Sequence, residues 1–151
     1  MKFVIQRVKH ASVEVDHKKI GSIKNGFMVL IGVSNSDTKE IADKMIQKMI
    51  GLRIFEDENG KTNLSLSQVG GSILSVSQFT LYGSVKEGNR PSFVSAMRPD
   101  EARVLYEEFY SYLKTLVPSL QGGVFQADMV VSLENDGPFT LVLDSKELFE
   151  K

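Results

Sequence analysis

The chain of 151 residues has no cysteine and no tryptophan, and only two histidines and four prolines. Without cysteine there can be no disulfide, no thiolate zinc site and no cysteine nucleophile, a composition that agrees with a reducing compartment. With His10 and His17 alone, an imidazole-based metal site is not expected, and His17 falls in the polar stretch Asp16-His17-Lys18-Lys19, which reads as a hairpin turn. No metal and no cofactor are therefore expected. An excess of charge of one sign is also missing: the formal net charge of -1 leaves no overall electropositive field to coat a nucleic-acid duplex. Lys86 with Arg90, Lys18 with Lys19, and Arg7 with Lys9 are the candidate local basic patches, each of which is more often just a solvated polar face. Long apolar runs are absent. Phe27 to Ile31 is far below membrane-spanning length, and Met1 to Ile5 meets Gln6 and Arg7 too soon for a signal peptide. A soluble, cytoplasmic protein with one domain over residues 1–151 is expected, long enough to bury roughly 68–70% of its unfolded surface.

What is present is dense short-range patterning. Phe3 to Val8 and Ala11 to Val15 read as strands, Ile20 to Ile23 as a return run, and Phe27 to Ile31, apolar on both faces, as a central strand. Ser36 and Asp37 read as caps of a helix over Thr38 to Ile50, with Ile41, Ala42, Met45, Ile46, Met49 and Ile50 on its apolar stripe. Arg53 to Phe55 and Thr62 to Leu66 flank the turn signal Asp57 to Lys61, and Ile73 to Tyr82 reads as one long strand. After a polar loop over Ser84 to Ser92, Pro99 suits a first helical position. Asp100 and Glu101 follow, and Ala102, Leu105, Phe109, Leu113 and Leu116 line up before Pro118 ends the helix. Val124 to Leu133 and Phe139 to Leu143 read as two last strands. About eight strands and two helices, without sustained βαβ alternation, predict an α+β fold: a curled, largely antiparallel sheet or barrel with two packed helices.

Two segments could carry chemistry. In Ser77-Gln78-Phe79-Thr80, polar residues interrupt both faces of a strand. A serine or threonine nucleophile needs a base, and no His, Lys or carboxylate stands beside this one, so a triad is not indicated. Such a strand end can instead offer hydroxyls and backbone N–H groups to a carbonyl and its oxyanion. In Asn135-Asp136-Gly137-Pro138-Phe139-Thr140, glycine contributes no side chain and proline no N–H. Read locally this is an ordinary turn; read functionally it is a rigid backbone wall that rejects a substituent by collision, a means of discriminating handedness.

Together the two segments resemble the D-aminoacyl-tRNA deacylase family, whose hallmarks are a Ser-Gln-x-Thr stretch and an Asn-x-Gly-Pro-x-Thr stretch. Gln6-Arg7-Val8, Leu52-Arg53-Ile54-Phe55, Asn63-Leu64-Ser65, Arg90-Pro91-Ser92-Phe93, Ala127-Asp128-Met129 and Val131-Ser132-Leu133 look like family sequence in family order, so the likeness spans nearly the whole chain. It implies hydrolysis of the ester joining a D-amino acid to the terminal adenosine of tRNA, with Ser77, Gln78, Phe79 and Thr80 lining the active site. It further implies a homodimer in which Gly137-Pro138, a cis-proline motif, projects from one subunit into the partner's site. Asn135, Thr140, Phe125 and Met129 would bind substrate. Backbone N–H groups near Phe79 and Thr80 would hold the oxyanion while a ribose hydroxyl of the tRNA assists water. Steric rejection of L side chains leaves glycine unopposed, so mischarged glycyl-tRNA(Ala) becomes a secondary substrate. One departure stands out: Gln126 occupies a position where the family usually has glycine, at the edge of the adenosine pocket. A non-catalytic RNA-end or protein-binding dimer, and a small-molecule esterase using Ser77 or Thr80, are the alternative readings.

Overall fold

In the computed structural model, which describes residues 1–150, runs of two or three strands, eight in all, are each followed by one of three α-helices, with a short 3₁₀ turn before the second helix. Strand β1 (Lys2–Val15) turns at Asp16 and His17, both with positive φ, into β2 (Lys18–Ile23), and β3 (Gly26–Gly32) continues in the same direction. A tight turn with two left-handed residues matches the twist of the strands that it joins. β1 is thus one unbroken strand rather than the two expected. β2 pairs with its second half and β3 with its first. The register shifts between Val8 and His10, leaving Lys9 and His10 both exposed, so Phe3 and Ile5 face one side and Ala11 and Val13 the other. A single bulge exchanges the faces of a strand.

Helix α1 (Lys39–Ile50) follows, then the short pair β4 (Phe55–Glu56) and β5 (Thr62–Leu64), and β6 (Ser72–Ser77). The side chain of Thr38 caps α1 by accepting from Ile41 N, in place of the expected Ser36 and Asp37. Asp37 is drawn elsewhere: its Oδ1 lies 2.6 Å from the Met1 ammonium and its Oδ2 accepts from Ser34 N at 2.6 Å. Helix α2 (Pro99–Leu116) leads to β7 (Gln121–Gly122), and β8 (Val130–Asp144) ends in the short α3 (Ser145–Phe149), a helix not expected from the sequence. The sheet runs β2-β1-β3-β6-β7. β8 lies antiparallel along β1, from Asp144 opposite Lys2 to Val130 opposite Glu14.

The fold is α+β with a curled sheet, but the sheet is mixed. β6 runs parallel to both β3 and β7, because the connections between them hold α1 and α2 and return the chain to the same end. Curling brings the two ends of the sheet together, so that a Cβ on Gly21 of β2 would stand 3.2 Å from the carbonyl oxygen of Gly122 in β7. One face packs Phe3, Phe27, Val29 and Ile73 against Met45, Met49 and Phe109 of the helices. The other, inside the curl, gathers Val13, Met28, Leu74 and Val76 into a smaller cluster. No helix among the described residues is long and apolar enough to cross a membrane.

Candidate active site

The strand expected over Ile73 to Tyr82 stops at Ser77, opposite Ile31 of β3. Its neighbours end there: β3 stops at Gly32 and β7 has two residues, so there is no ladder to join. The chain turns instead. Gln78 still donates its N–H to Ile31 O at 2.8 Å, and Phe79–Tyr82 then form a 3₁₀ turn closed by Leu81 N to Gln78 O at 3.3 Å and Gly83 N to Thr80 O at 2.9 Å. Among the described residues, the N–H groups of Phe79 and Thr80 at the head of this turn make no hydrogen bond. The Gln78 amide donates to the Thr80 hydroxyl at 2.5 Å. An amide N–H cannot take a proton from that hydroxyl, so this contact does not activate Thr80 as a nucleophile.

A cavity of about 930 Å³ opens beside the turn, at the carboxyl ends of the parallel strands β3 and β6. Ligands of sheets with parallel strands commonly lie at such ends, where the chain leaves for its crossovers. Ser77, Gln78 and Phe79 form one wall, Phe125 to Met129 a second, and Phe93, Val94 and Ala96 to Pro99 a third. Phe79 packs edge-on against Phe93 with centroids 5.0 Å apart. The third wall was not anticipated from the sequence, although the apolar pair Phe93-Val94 amid polar loop residues was its visible sign. It is tied to the segment that follows β3 by Met97 N to Val33 O at 3.0 Å and by the Asn35 side-chain amide to Val94 O at 2.8 Å.

The second wall is a loop, where strand was expected from Val124 onward. Phe125 stands with its ring centroid 5.7 Å from that of Tyr106, whose hydroxyl bonds Ser75 at 2.8 Å beneath the cleft. Burial, more than any other cause, pushes the Tyr106 hydroxyl well above its ordinary pKa, so it stays protonated and structural. Met129 fits because Gly123 has no side chain; a Cβ there would come within 2.3 Å of the Met129 sulfur.

Asn135 to Thr140 lie elsewhere. β8 was expected as two strands, but it is continuous, and the motif is a wide bulge within it: Asn135 pairs with Val8 and Thr140 with Gln6, leaving Asp136 to Phe139 opposite Arg7 alone. The Gly137–Pro138 bond is cis, and both residues are exposed. Asn135 closes the loop, its Oδ1 accepting from Phe139 N at 2.6 Å and its Nδ2 donating to the Thr140 hydroxyl at 3.0 Å. Asn135 and Thr140 are thus engaged within the loop. Arg7 supports it from below, donating to Asp136 O at 3.0 Å and Ile54 O at 2.6 Å, with its guanidinium 4.8 Å from the Phe139 ring centre. Arg7 is therefore no part of a surface patch with Lys9; it is buried, as its place on the face of Phe3 and Ile5 could have signalled. Within one chain the loop borders a separate cavity of about 410 Å³ shared with Arg7, Asn25 and Glu56, and none of its residues reaches the Ser77–Phe79 cleft.

Among the described residues, no group of three or more His, Asp or Glu side chains could hold a metal ion. Residues 4–144 match the family model of D-Tyr-tRNA(Tyr) deacylase. A D-aminoacyl-tRNA deacylase from Clostridium tetani is 53% identical over 149 residues, covering 99% of this chain and all of that one. One from Lactobacillus acidophilus is 55% identical over 144 residues, 95% of this chain and 99% of the relative. Among solved structures, the c-Myc DNA Unwinding Element Binding Protein superposes with a TM-score of 0.90 at 41% identity, covering 95% of this chain and 98% of its own. With a full-length family match, relatives above half identity and both hallmark segments in place, the chain belongs to the D-Tyr-tRNA(Tyr) deacylase family.

Proposed function

We propose that this chain hydrolyses the ester of D-aminoacyl-tRNA, releasing free D-amino acid and tRNA, and that it works in the cytoplasm as a homodimer. Family membership supports the reaction class, and one observation carries the mechanism. Phe79, in the wall of the cleft, and the adjacent Thr80 have N–H groups that make no hydrogen bond among the described residues, while the Thr80 hydroxyl accepts from the Gln78 amide. Two adjacent N–H groups left free in this way suit the oxyanion of ester hydrolysis, where each donor is worth on the order of 10²–10³ in rate. With no protein base beside Ser77 or Thr80, water is positioned by the hydroxyl of the substrate's own terminal ribose.

Phe125 and Met129 form the wall against which the terminal adenosine lies. Gly137 and Pro138 of a second subunit close the cleft, their carbonyls filling the volume into which an L side chain would point. Asn135 and Thr140 contribute by shaping that loop. The gate rejects L and requires nothing of D, so glycyl-tRNA, including mischarged glycyl-tRNA(Ala), passes it.

The test is ester cleavage measured on D-, L- and glycyl-aminoacyl-tRNA. D-Tyrosyl-tRNA and glycyl-tRNA should be hydrolysed and L-tyrosyl-tRNA spared, and a D-tyrosyl-tRNA lacking the free ribose 2′-hydroxyl should react far more slowly. Equal cleavage of D and L defeats the gate. Full activity on the deoxy substrate, combined with a dead Thr80→Ala variant that still binds, restores Thr80 as nucleophile. The 41%-identical neighbour named for binding a DNA element favours a second reading, a non-catalytic nucleic-acid-binding protein. The net charge of -1 weighs against that reading, and ester cleavage would eliminate it.

A further inference from the structure

At the mouth of the cleft, Gln126 holds φ +67, a left-handed conformation uncommon for any residue but glycine. Its side chain does not simply project into water. Gln126 Oε1 accepts from Arg103 Nη2 at 2.8 Å, and the same guanidinium lies 4.9 Å from the centre of the Phe125 ring. Held by its edge and by its face, Arg103 has already given up much of the rotamer freedom that a long side chain loses on binding. Its charge is not spent in doing so, because the amide that holds it is neutral. Asp100 and Glu107 stand three and four residues away on the same helix and Asp128 lies in the cleft wall, yet none of them pairs with Arg103 among the described residues. An ordered guanidinium without a carboxylate partner, beside a largely apolar cleft, matches the fork geometry of a phosphodiester.

We propose that Arg103, fixed by Gln126 over Phe125, binds the phosphodiester linking the terminal nucleoside of an RNA 3′ end to the rest of its strand. The contact then sets how deeply that nucleoside enters the cleft. Gln126, where a glycine would leave Arg103 unheld, is the residue that makes the contact available. This inference rests on the aminoacyl-RNA reading of the cleft, but its test does not require turnover.

Two probes are compared by calorimetry on the full chain. One is an RNA hairpin whose single-stranded 3′ adenosine carries a D-tyrosyl group in amide linkage; the other is 3′-(D-tyrosylamino)adenosine, which has no phosphate. R103A should weaken the hairpin by about tenfold and leave the nucleoside unchanged. The slope of log affinity against log salt for the hairpin should fall by about one. R103K should recover part of the loss and Q126A should show a smaller loss of the same kind. Equal weakening of both probes would reduce Arg103 to a support for the Phe125 wall, and no change with the hairpin would remove it from recognition; either overturns the proposal. If the hairpin binds but D-tyrosyl-tRNA is not cleaved, the catalytic reading fails while the two probes still decide the role of Arg103. Binding of neither probe overturns both.

Discussion

Gly137 has φ +135, and a Cβ built there would meet Arg7 Nη2 at 2.8 Å and Phe139 N at 3.2 Å. An exposed arginine could swing away from such a contact. This one cannot do so cheaply, because it is buried and donates to the carbonyls of Ile54 and Asp136. Gly137→Ala therefore combines backbone strain with displacement of the loop's support, and should cost roughly 1–3 kcal/mol by thermal or urea unfolding. If the loop acts as the chiral gate, the same variant should also begin to cleave L-tyrosyl-tRNA. Gly60→Ala is the matched control: Gly60 has φ +72 with nothing within 4 Å of its Cβ position, so alanine there should strain the backbone and leave chirality untouched. Loss of discrimination in both variants would show that general destabilisation, and not the loop's position, is responsible.

At the scale of elements, the sequence reads well where periodicity meets a buried face. The stripe of α1, that of α2 apart from the 39%-exposed Leu116, and the alternation of β6 and of each half of β1 pack as their spacing requires, since a wrong period would expose the core. It reads badly where a neighbour decides. Nothing in Gln78 to Tyr82 forbids strand; the chain turns because β3 and β7 offer no further partner. Likewise nothing in Asn135 to Thr140 reveals that four residues bulge opposite Arg7, because that depends on register with β1. The two hallmark motifs were legible, whereas the arrangement of their residues, the third wall and the Arg103–Gln126 contact were not. Gly32 shows how the turn is seated. A Cβ there would stand 2.9 Å from the Leu81 Cβ and 3.3 Å from Gln78 O, both in the segment that presents the free N–H groups. Gly32→Ala should push the Phe79–Tyr82 turn out of place. Since misplacement by about 1 Å can cost on the order of 10²-fold in rate, kcat on D-tyrosyl-tRNA should fall by roughly that factor. A kcat within twofold of wild type, in a variant that folds, would show that the turn does not hold the reacting carbonyl.

At the scale of the whole molecule, the two hallmark segments do not meet. The cleft contains none of Asn135 to Thr140, and the loop exposes Gly137 and Pro138 away from it. A gate that never reaches its site does nothing, so the proposed chiral rejection requires a second copy of the chain. β8 offers a place for contact: fifteen residues long, it pairs only with β1, and Val130 and Val142 are 61% and 62% exposed on it. An edge strand of that length with exposed valines is a liability unless covered. Light scattering at micromolar concentration should therefore give twice the mass of the chain, 16.8 kDa. Val130→Glu with Val142→Glu should shift it to the monomer, since like charges meet across a two-fold contact. The monomer retains its Ser77–Thr80 turn but lacks the partner's Gly137-Pro138, so it should lose its preference for D over L at a concentration where the wild type keeps it. A wild-type monomer that still spares L-tyrosyl-tRNA would mean that chirality is read within one chain, by residues of the cleft itself.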